Sequence, residues 1–324
     1  MATTPSTRIA AIVPCHNEEL AIRQVVIDLK AAVPEIEVYV YDNASTDNTV
    51  SVARAAGAIV RSETTKGKGN VVRRAFADVD ADVYVLIDGD DTYAAADLPE
   101  MIETLHSGPY DHVLGVRQST EEGAYRPGHE LGNKGFNWFV GGVFGSPVSD
   151  MLSGYRVFSR RFVKSFPALS REFEIETELT VHAMSLRVPQ VEVGVGFKDR
   201  PAGSESKLRT YHDGFRILSL IIGLIRHERP LTFYGLVGTL LGIIGVILGI
   251  PVVLEYFATG DVPRLPTAVL AVGIVLLAFM SWMIGLVLDG VLKSRREMNR
   301  LNYLGLAAPA WRPAAALPPA SELR

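Results

Sequence analysis

Val83-Tyr84-Val85-Leu86-Ile87-Asp88-Gly89-Asp90-Asp91 is the stretch on which the fold turns: an apolar run passes directly into three carboxylates within four positions, and a helix-like segment follows. Carboxylates this close repel one another unless a cation sits among them. A buried strand ending in clustered Asp is how an α/β protein holds a hard divalent ion at the carboxyl edge of its sheet. Mg²⁺ held in this way keeps waters and takes its other ligands from substrate phosphates. A solvated Asp-Gly turn would carry the same letters, so the surrounding sequence decides.

Upstream, strand-like apolar runs alternate with helical ones. Ile9 to Val13, Glu37 to Tyr41, Ala58 to Arg61 and Val83 to Ile87 read as strands; Leu20 to Ala32, Val50 to Ala56 and Val71 to Asp78 read as helices. Strands separated by helices of this length predict βαβ units and a mainly parallel sheet, in which ligands bind beyond the carboxyl ends of the strands. Three polar clusters fall at such ends: Pro14-Cys15-His16-Asn17-Glu18-Glu19, Asp42 through Thr49, and the Asp88 cluster. One or two could be helix caps, with Ser45 or Thr46 well placed; all three together point to one shared ligand. No G-x-G-x-x-G opens the first helix, which excludes a dinucleotide-binding reading. The glycines come later, in Lys66-Gly67-Lys68-Gly69-Asn70, where a backbone can approach a nucleotide diphosphate and Lys adds positive charge. Solvated turns share that pattern.

The chain has 324 residues, 48% of them hydrophobic, and a net charge of −4, enough for a substantial core and unlike a protein that binds nucleic acid by bulk charge. From about residue 231 to 291 charge nearly vanishes. Leu231 to Leu254 and Leu265 to Leu288 are each 24 residues without a charge, long enough to cross ~30 Å of hydrocarbon at about 1.5 Å per residue. Glu255, Asp261 and Arg264 lie in the short loop between them, so the pair reads as a helical hairpin in a membrane, with a buried core helix pair as the alternative. Arg216, Arg226 and Arg229 precede the hairpin and Lys293, Arg295, Arg296 and Arg300 follow it, which predicts a multi-pass protein of the plasma (inner) membrane with the N-terminal domain and both termini cytoplasmic. Arg8 to Pro14 reads as a first strand rather than a secretory leader, and the single Cys15 fits a reducing compartment.

Before the hairpin, Leu208, Tyr211, Phe215, Leu218, Ile222 and Ile225 recur at three- and four-residue spacing, as in an interfacial amphipathic helix or a core-facing one. The Ala/Pro-rich tail from Ala307 to Arg324 is expected to lack fixed structure. The expected organisation is therefore an α/β domain over 1–205, a juxtamembrane helix over 206–229, the hairpin over 230–292, and a basic segment with a tail over 293–324.

Ile12-Val13-Pro14 with Asn17-Glu18-Glu19, Asp42-Asn43 with Ser45 and Asp47, Lys66-Gly67-Lys68-Gly69 and Asp88-Gly89-Asp90 resemble the ordered motifs of family 2 glycosyltransferases of GT-A fold. Asp150 to Arg156, Phe173 to Glu178, and Arg200 followed by Gly203-Ser204-Glu205-Ser206-Lys207-Leu208 resemble the polyprenyl-phosphate glycosyltransferases, the group that contains dolichol-phosphate mannose synthases and bactoprenol glucosyltransferases. The hairpin is similar to that of members with two C-terminal helices. The resemblance implies transfer of a hexose from a nucleotide diphosphate to a polyprenyl phosphate, with inversion. It implies that Pro14, Asn17, Glu18, Asp42, Lys66, Gly69 and Asp88 bind the nucleotide sugar, that Arg200 and Lys207 clamp the diphosphate or the acceptor phosphate, and that Asp88 and Asp90 hold Mg²⁺ or Mn²⁺. A relative's Gln is replaced here by Thr92, beside Asp91, which leaves the third metal ligand open. The partners implied are the nucleotide sugar, the lipid phosphate, the bilayer and a second copy of the chain in a homo-oligomer.

A phosphate monoester with a second pKa of about 6 is already mostly dianionic at neutral pH, so its oxygen needs cations rather than a base. Arg117 and Arg126 are the candidates for gripping it, with Ser153. Asp150 matches a position near the anomeric centre, where it could orient the acceptor or stabilise positive charge; Arg156 would be structural, pairing with a carboxylate such as Asp150. Of Glu174, Glu176 and Glu178, Glu176 carries some functional weight and the others read as solvated. His129, His182 and His212 are too scattered for a metal site, and Trp138 reads as packing. Two rival readings stand beside this one. A polysaccharide or glycolipid synthase would carry Q-x-x-R-W, which precedes none of Trp138, Trp282 and Trp311. An inactive membrane adaptor would have no need of Asp88, Asp90, Arg200 and Lys207. UDP-glucose, UDP-N-acetylhexosamine and GDP-mannose all remain open as donors.

Overall fold

A computed structural model describes residues 7–119, 149–168, 175–198, 222–223 and 225–309. They divide into two compact units, residues 1–207 with 299–324 and residues 208–298.

In the first unit β1 (Ile9–Cys15) shows why the sheet must be covered on both faces. Successive side chains of a strand point to opposite sides, and here both sets are apolar: Ile9, Ala11 and Val13 enter one core layer, Ala10 and Ile12 the other. The same alternation runs through β4 (Val83–Leu86), with Val83 and Val85 on one face and Tyr84 and Leu86 on the other. The first layer is closed by α1 (Ile22–Ala32), α2 (Thr49–Ala55) and α4 (Leu98–Ser107), through residues such as Val26, Leu29, Leu98 and Met101. The second is closed by α3 (Lys68–Asp78), α5 (Arg160–Ser165) and α6 (Ile175–Leu186), through Val72, Phe76, Phe162 and Leu179. Each such side chain contributes about 1.5–3 kcal/mol on burial.

With β2 (Glu37–Asp42), β3 (Ile59–Ser62), β5 (His112–Ser119), β6 (Arg156–Ser159) and β7 (Gln190–Phe197), the sheet has the order β3-β2-β1-β4-β6-β5-β7. β1 to β4 are parallel; β6 runs against both β4 and β5, and β5 is parallel to β7. The predicted GT-A-like α/β domain is therefore present, with one reversed strand. Its reversal brings the amino end of β6, paired at Leu86 with Arg156, to the edge where β1, β2, β4, β5 and β7 end.

The predicted strands and helices before Asp88 all occur, with shifted ends. Helix α3 starts three residues early, at Lys68. Gly67 makes this possible: at φ 122° it turns the chain straight into the helix, a conformation open to glycine. Asn70 Nδ2 then donates back to the Lys66 carbonyl at 2.8 Å.

The second unit holds α7 (Pro230–Thr259), and α8 (Leu265–Leu304) begins in it. Both are long and apolar enough to cross a membrane. Leu240, Ile247, Leu270 and Phe279 are exposed outward, while small residues let the backbones approach: Gly238 lies against Trp282, and Gly245 against Val275. Polar groups in this seam are satisfied, Trp282 Nε1 donating to Gly235 O (3.0 Å) and Ser281 Oγ to Tyr234 O (2.8 Å). Most of the predicted amphipathic segment, and residues 310–324 of the tail, lie outside the described residues.

The last residues of α8 belong to the first unit. There Tyr303 packs on the second core layer, donates its hydroxyl to Asp111 Oδ2 at 2.7 Å, and lies under the Arg161 guanidinium, 4.7 Å from the ring centre.

Candidate active site

The first two polar clusters build one another. Asn17 N donates to Ser45 Oγ at 2.9 Å and Thr46 N to Asn17 Oδ1 at 2.8 Å; Glu18 N donates to Thr49 Oγ1 at 2.8 Å, and Asn48 N to Glu19 Oε2 at 2.9 Å. Asn43 ties this pair to the glycine loop, its Nδ2 donating to the Glu63 and Thr65 carbonyls and its Oδ1 accepting from Gly67 N. Asn17 thus spends its amide oxygen on the β2 loop. Gly69 is buried and Lys66 exposed at the start of α3. Burial pushes the Cys15 thiol pKa up, and Glu18, Asp42, Asp88 and Asp90, which lie at or just after the ends of three different strands, each push it further. Glu18 and Asp42 are themselves buried.

The loop after β4 is fixed residue by residue. A Cβ on Gly89 would collide with Cys15 Sγ and press on the Pro14 carbonyl, so glycine lets the turn lie flush on β1. Asp88 Oδ1 and Glu176 Oε1 share the ammonium of Lys68, and Asp88 Oδ2 lies over Gly154. Asp90 Oδ1 accepts from Thr92 Oγ1 at 2.7 Å and from its amide at 3.3 Å. Asp91 adopts a left-handed φ of 58°, which Asp tolerates, and pairs with Lys198 at 2.9 Å. Tyr93 Oη accepts from Gly154 N at 2.9 Å, and the Thr92 carbonyl from Lys198 N at 2.9 Å.

These residues fit a divalent cation in a particular way. Among the described residues no group of three or more His, Cys, Asp or Glu is arranged for a metal. Two carboxylates at a strand end match the hard-cation pattern in which phosphates and waters complete the shell. Thr92, at the position where a third ligand was in question, is turned onto Asp90 and fixes that carboxylate instead. Lys68 stays charged: burial acts to lower its pKa, but Asp88 and Glu176 more than reverse this. Glu176 is raised by burial, against the pull of Lys68.

On the β5 and β6 side, Arg117 and Asp150 are brought together. Arg117 Nε and Nη2 each donate to one oxygen of Asp150, both at 2.7 Å, and the guanidinium lies over the Phe197 ring. The expected pairing of Arg156 with Asp150 does not occur. Arg156, fully buried, donates instead to the carbonyls of Met151 (2.7 Å) and Ser153 (2.9 Å) and to Thr180 Oγ1 (2.8 Å), bracing the loop from inside. Burial lowers its pKa to about 10, against the opposing effect of Glu176 and Asp150. Ser153 is also buried, its Oγ accepting from Tyr155 N and lying 3.5 Å from Tyr93 Oη, so it supports the loop after β4 from behind.

The Glycosyl transferase family 2 model matches residues 10–166, from β1 into the residues after α5. Glycosyltransferase AglJ of Haloferax volcanii is 31% identical over 299 residues, 91% of this chain and 98% of its own. The chain belongs to glycosyltransferase family 2. A dolichyl-phosphate hexose transferase of the same organism is 27% identical over 221 residues, 68% of this chain and 95% of its own. Among solved structures, the glucosyl-3-phosphoglycerate synthase of Mycobacterium tuberculosis, in complex with Mn²⁺, UDP and glucosyl-3-phosphoglycerate, superposes with a TM-score of 0.56 over 68% of this chain and 79% of that one, at 22% identity, a likeness of fold.

In this glycosyltransferase Arg126, Arg200 and Lys207 lie outside the described residues, as do Glu174, His129, His212 and Trp138. His182 is core, edge-on to Phe162 and Phe166. Lys68 reads in the sequence only as part of the Lys/Gly loop offered to a diphosphate; its two acidic partners, Asp88 and Glu176, show no signal there.

Proposed function

We propose that this glycosyltransferase moves a hexose from a UDP- or GDP-linked sugar to the phosphate of a membrane polyprenol, with inversion, on the cytoplasmic face of the plasma (inner) membrane. The observation that carries the reading is the pair Asp88 and Asp90 at the end of β4, in a turn packed on Pro14 and Cys15 of β1, in a chain with two helices of membrane length. The dolichyl-phosphate hexose transferase among its relatives supports a lipid phosphate acceptor. Mn²⁺ with UDP in the structural neighbour supports a divalent cation.

In this reading Pro14, Glu18 and Asp42 hold the base and ribose, Asn17 shapes their side of the nucleotide-sugar site, Lys66 and Gly69 approach the diphosphate, and Arg200 and Lys207 clamp a phosphate. Asp88 and Asp90 would hold Mg²⁺ or Mn²⁺, which when bound neutralises charge gathering on the leaving diphosphate. Arg117, with Arg126, orients the acceptor phosphate, and Asp150 in turn orients Arg117. One C–O bond forms from the acceptor phosphate oxygen to the anomeric carbon as the bond to the nucleoside diphosphate breaks, and no proton need be removed first. The test is transfer from labelled nucleotide sugars to a short polyprenyl phosphate, with and without Mg²⁺ or Mn²⁺. Metal-dependent formation of polyprenyl-phosphate hexose is expected. Nucleotide binding without transfer from any donor would overturn the reading in favour of an adaptor.

A further inference from the structure

We propose that Lys68 is a resident counter-cation that keeps a divalent ion off Asp88 until a nucleoside diphosphate arrives, with Glu176 as the anion that holds Lys68 in reserve. The proposal rests on the metal reading of Asp88 and Asp90 given above. Its basis is a buried three-part cluster. Lys68 sits in the first turn of α3 and Glu176 in the first turn of α6, so two helix starts deliver opposite charges to the back of the Asp88 carboxylate. The side chains of Lys68 and Glu176 are 9% and 6% exposed, whereas that of Asp88 is 29% exposed. Asp88 therefore faces the site on one side and an ammonium on the other. Its second oxygen is packed over Gly154, which limits how far the carboxylate can turn away from Lys68.

A divalent ion approaching Asp88 alone meets that ammonium on the same carboxylate, and like charges a few ångström apart repel strongly where water is scarce. No third acidic or imidazole ligand among the described residues offsets this. A diphosphate does, because it brings enough negative charge for both the ion and the ammonium. The flexible lysine stem can then lean toward Glu176 without leaving either charge unpaired. Ion and nucleotide consequently bind cooperatively, and the coupling is reciprocal.

The test uses the full-length protein in detergent micelles, titrated with Mn²⁺ and followed by electron paramagnetic resonance, alone and with UDP or GDP. In the wild type the better nucleotide should tighten Mn²⁺ binding about tenfold or more. Lys68→Met should tighten nucleotide-free Mn²⁺ binding about tenfold and shrink the nucleotide effect. Glu176→Gln should act in the opposite direction and weaken nucleotide-free binding, because Lys68 then has Asp88 alone. The double variant Lys68→Met/Glu176→Gln leaves no lone buried charge, and should still bind Mn²⁺ alone more tightly than wild type. A merely structural ion pair would weaken binding in all three. Nucleotide-free affinity in the folded Lys68 variants at or below that of wild type overturns the proposal while the metal site stands. Mn²⁺ binding that survives Asp90→Ala, or its absence from wild type with either nucleotide, removes the metal site and the proposal together.

Discussion

Arg117 meets Asp150 at two points, Nε to Oδ2 and Nη2 to Oδ1, each at 2.7 Å, with Asp150 almost wholly buried and Arg117 reaching toward the edge of the sheet. The sequence alone assigns the two residues separate tasks, the acceptor phosphate to one and the anomeric centre to the other. Joined, they form a unit in which the carboxylate fixes the planar fork. Lysine offers a single point charge and cannot reproduce that geometry. Arg117→Lys is expected to lower kcat/KM for the polyprenyl phosphate by about 10- to 100-fold, each factor of ten being about 1.4 kcal/mol, with little change in the KM for the nucleotide sugar. Asp150→Ala should act in the same direction. Steady-state kinetics in each substrate separates this from a role at the donor, which would raise the donor KM instead.

Asp90→Ala tests the proposed metal role of the loop after β4 most directly. Asp90 is held by Thr92, and the loop is also anchored through Asp91 to Lys198 and through Tyr93 to Gly154. The fold should therefore survive the substitution while transfer is abolished. Unchanged thermal unfolding with no detectable product is the expected pair of results; turnover near wild type would sink the metal assignment.

Gly154→Ala examines how closely Asp88 is placed. The added methyl would overlap Asp88 Oδ2, so the carboxylate must move. Displacements of about 1 Å in a catalytic constellation can lower turnover about a hundredfold. A loss of that order is expected, together with weaker Mn²⁺ binding. Wild-type Mn²⁺ affinity in this variant would mean that Asp88 can shift without consequence.

What the sequence discloses and what it hides follow from the range of the interactions. The apolar runs of β1 and β4, the polar letters at strand ends and the missing charge in α7 are local, and each is readable in place. Glu176 carries only some functional weight in the sequence, because its partner Lys68 lies on a different helix far back in the chain. Arg156 invites a carboxylate partner by its charge, yet in the fold it is surrounded by backbone carbonyls, which no sequence pattern shows. Thr92 looks like a lost ligand until its hydroxyl is seen on Asp90.

His112 predicts an acid limb in stability. It is fully buried, stacked on Phe158 at 5.0 Å, with Nδ1 3.2 Å from Gln190 Oε1 and no hydrogen-bond partner for Nε2. Burial, and then Arg156, hold its pKa well below the ordinary value of 6.5. The folded state therefore keeps the ring neutral where the unfolded chain would take up a proton. This contribution is fully present above about pH 6.5 and declines as pH falls below it, by up to about 1.4 kcal/mol per pH unit until the folded pKa is reached. Thermal unfolding between pH 7.5 and 5 should show that decline, and His112→Gln should flatten it. An unchanged slope in the variant would assign the acid limb to other groups.

Tyr303 closes a buried acidic site at the amino edge of the sheet, away from the strand ends that carry the candidate active site. Asp111, which is wholly buried, accepts from Arg161 Nε at 2.7 Å, from Ser159 Oγ at 2.5 Å and from Tyr303 Oη at 2.7 Å. A hydrogen bond to a charged group contributes about 1.5–3 kcal/mol when its loss leaves the partner short of a donor. Arg161 and Ser159 remain in Tyr303→Phe, so a loss near the lower end, about 1.5 kcal/mol, is expected. Tyr303→Ala also removes the ring under Arg161, a further 0.5–1 kcal/mol or so. Chemical denaturation in detergent should rank wild type above Tyr303→Phe above Tyr303→Ala. A double-mutant cycle with Asp111→Asn should show coupling between the two side chains, and strict additivity would mean that the hydroxyl and the carboxylate do not support each other.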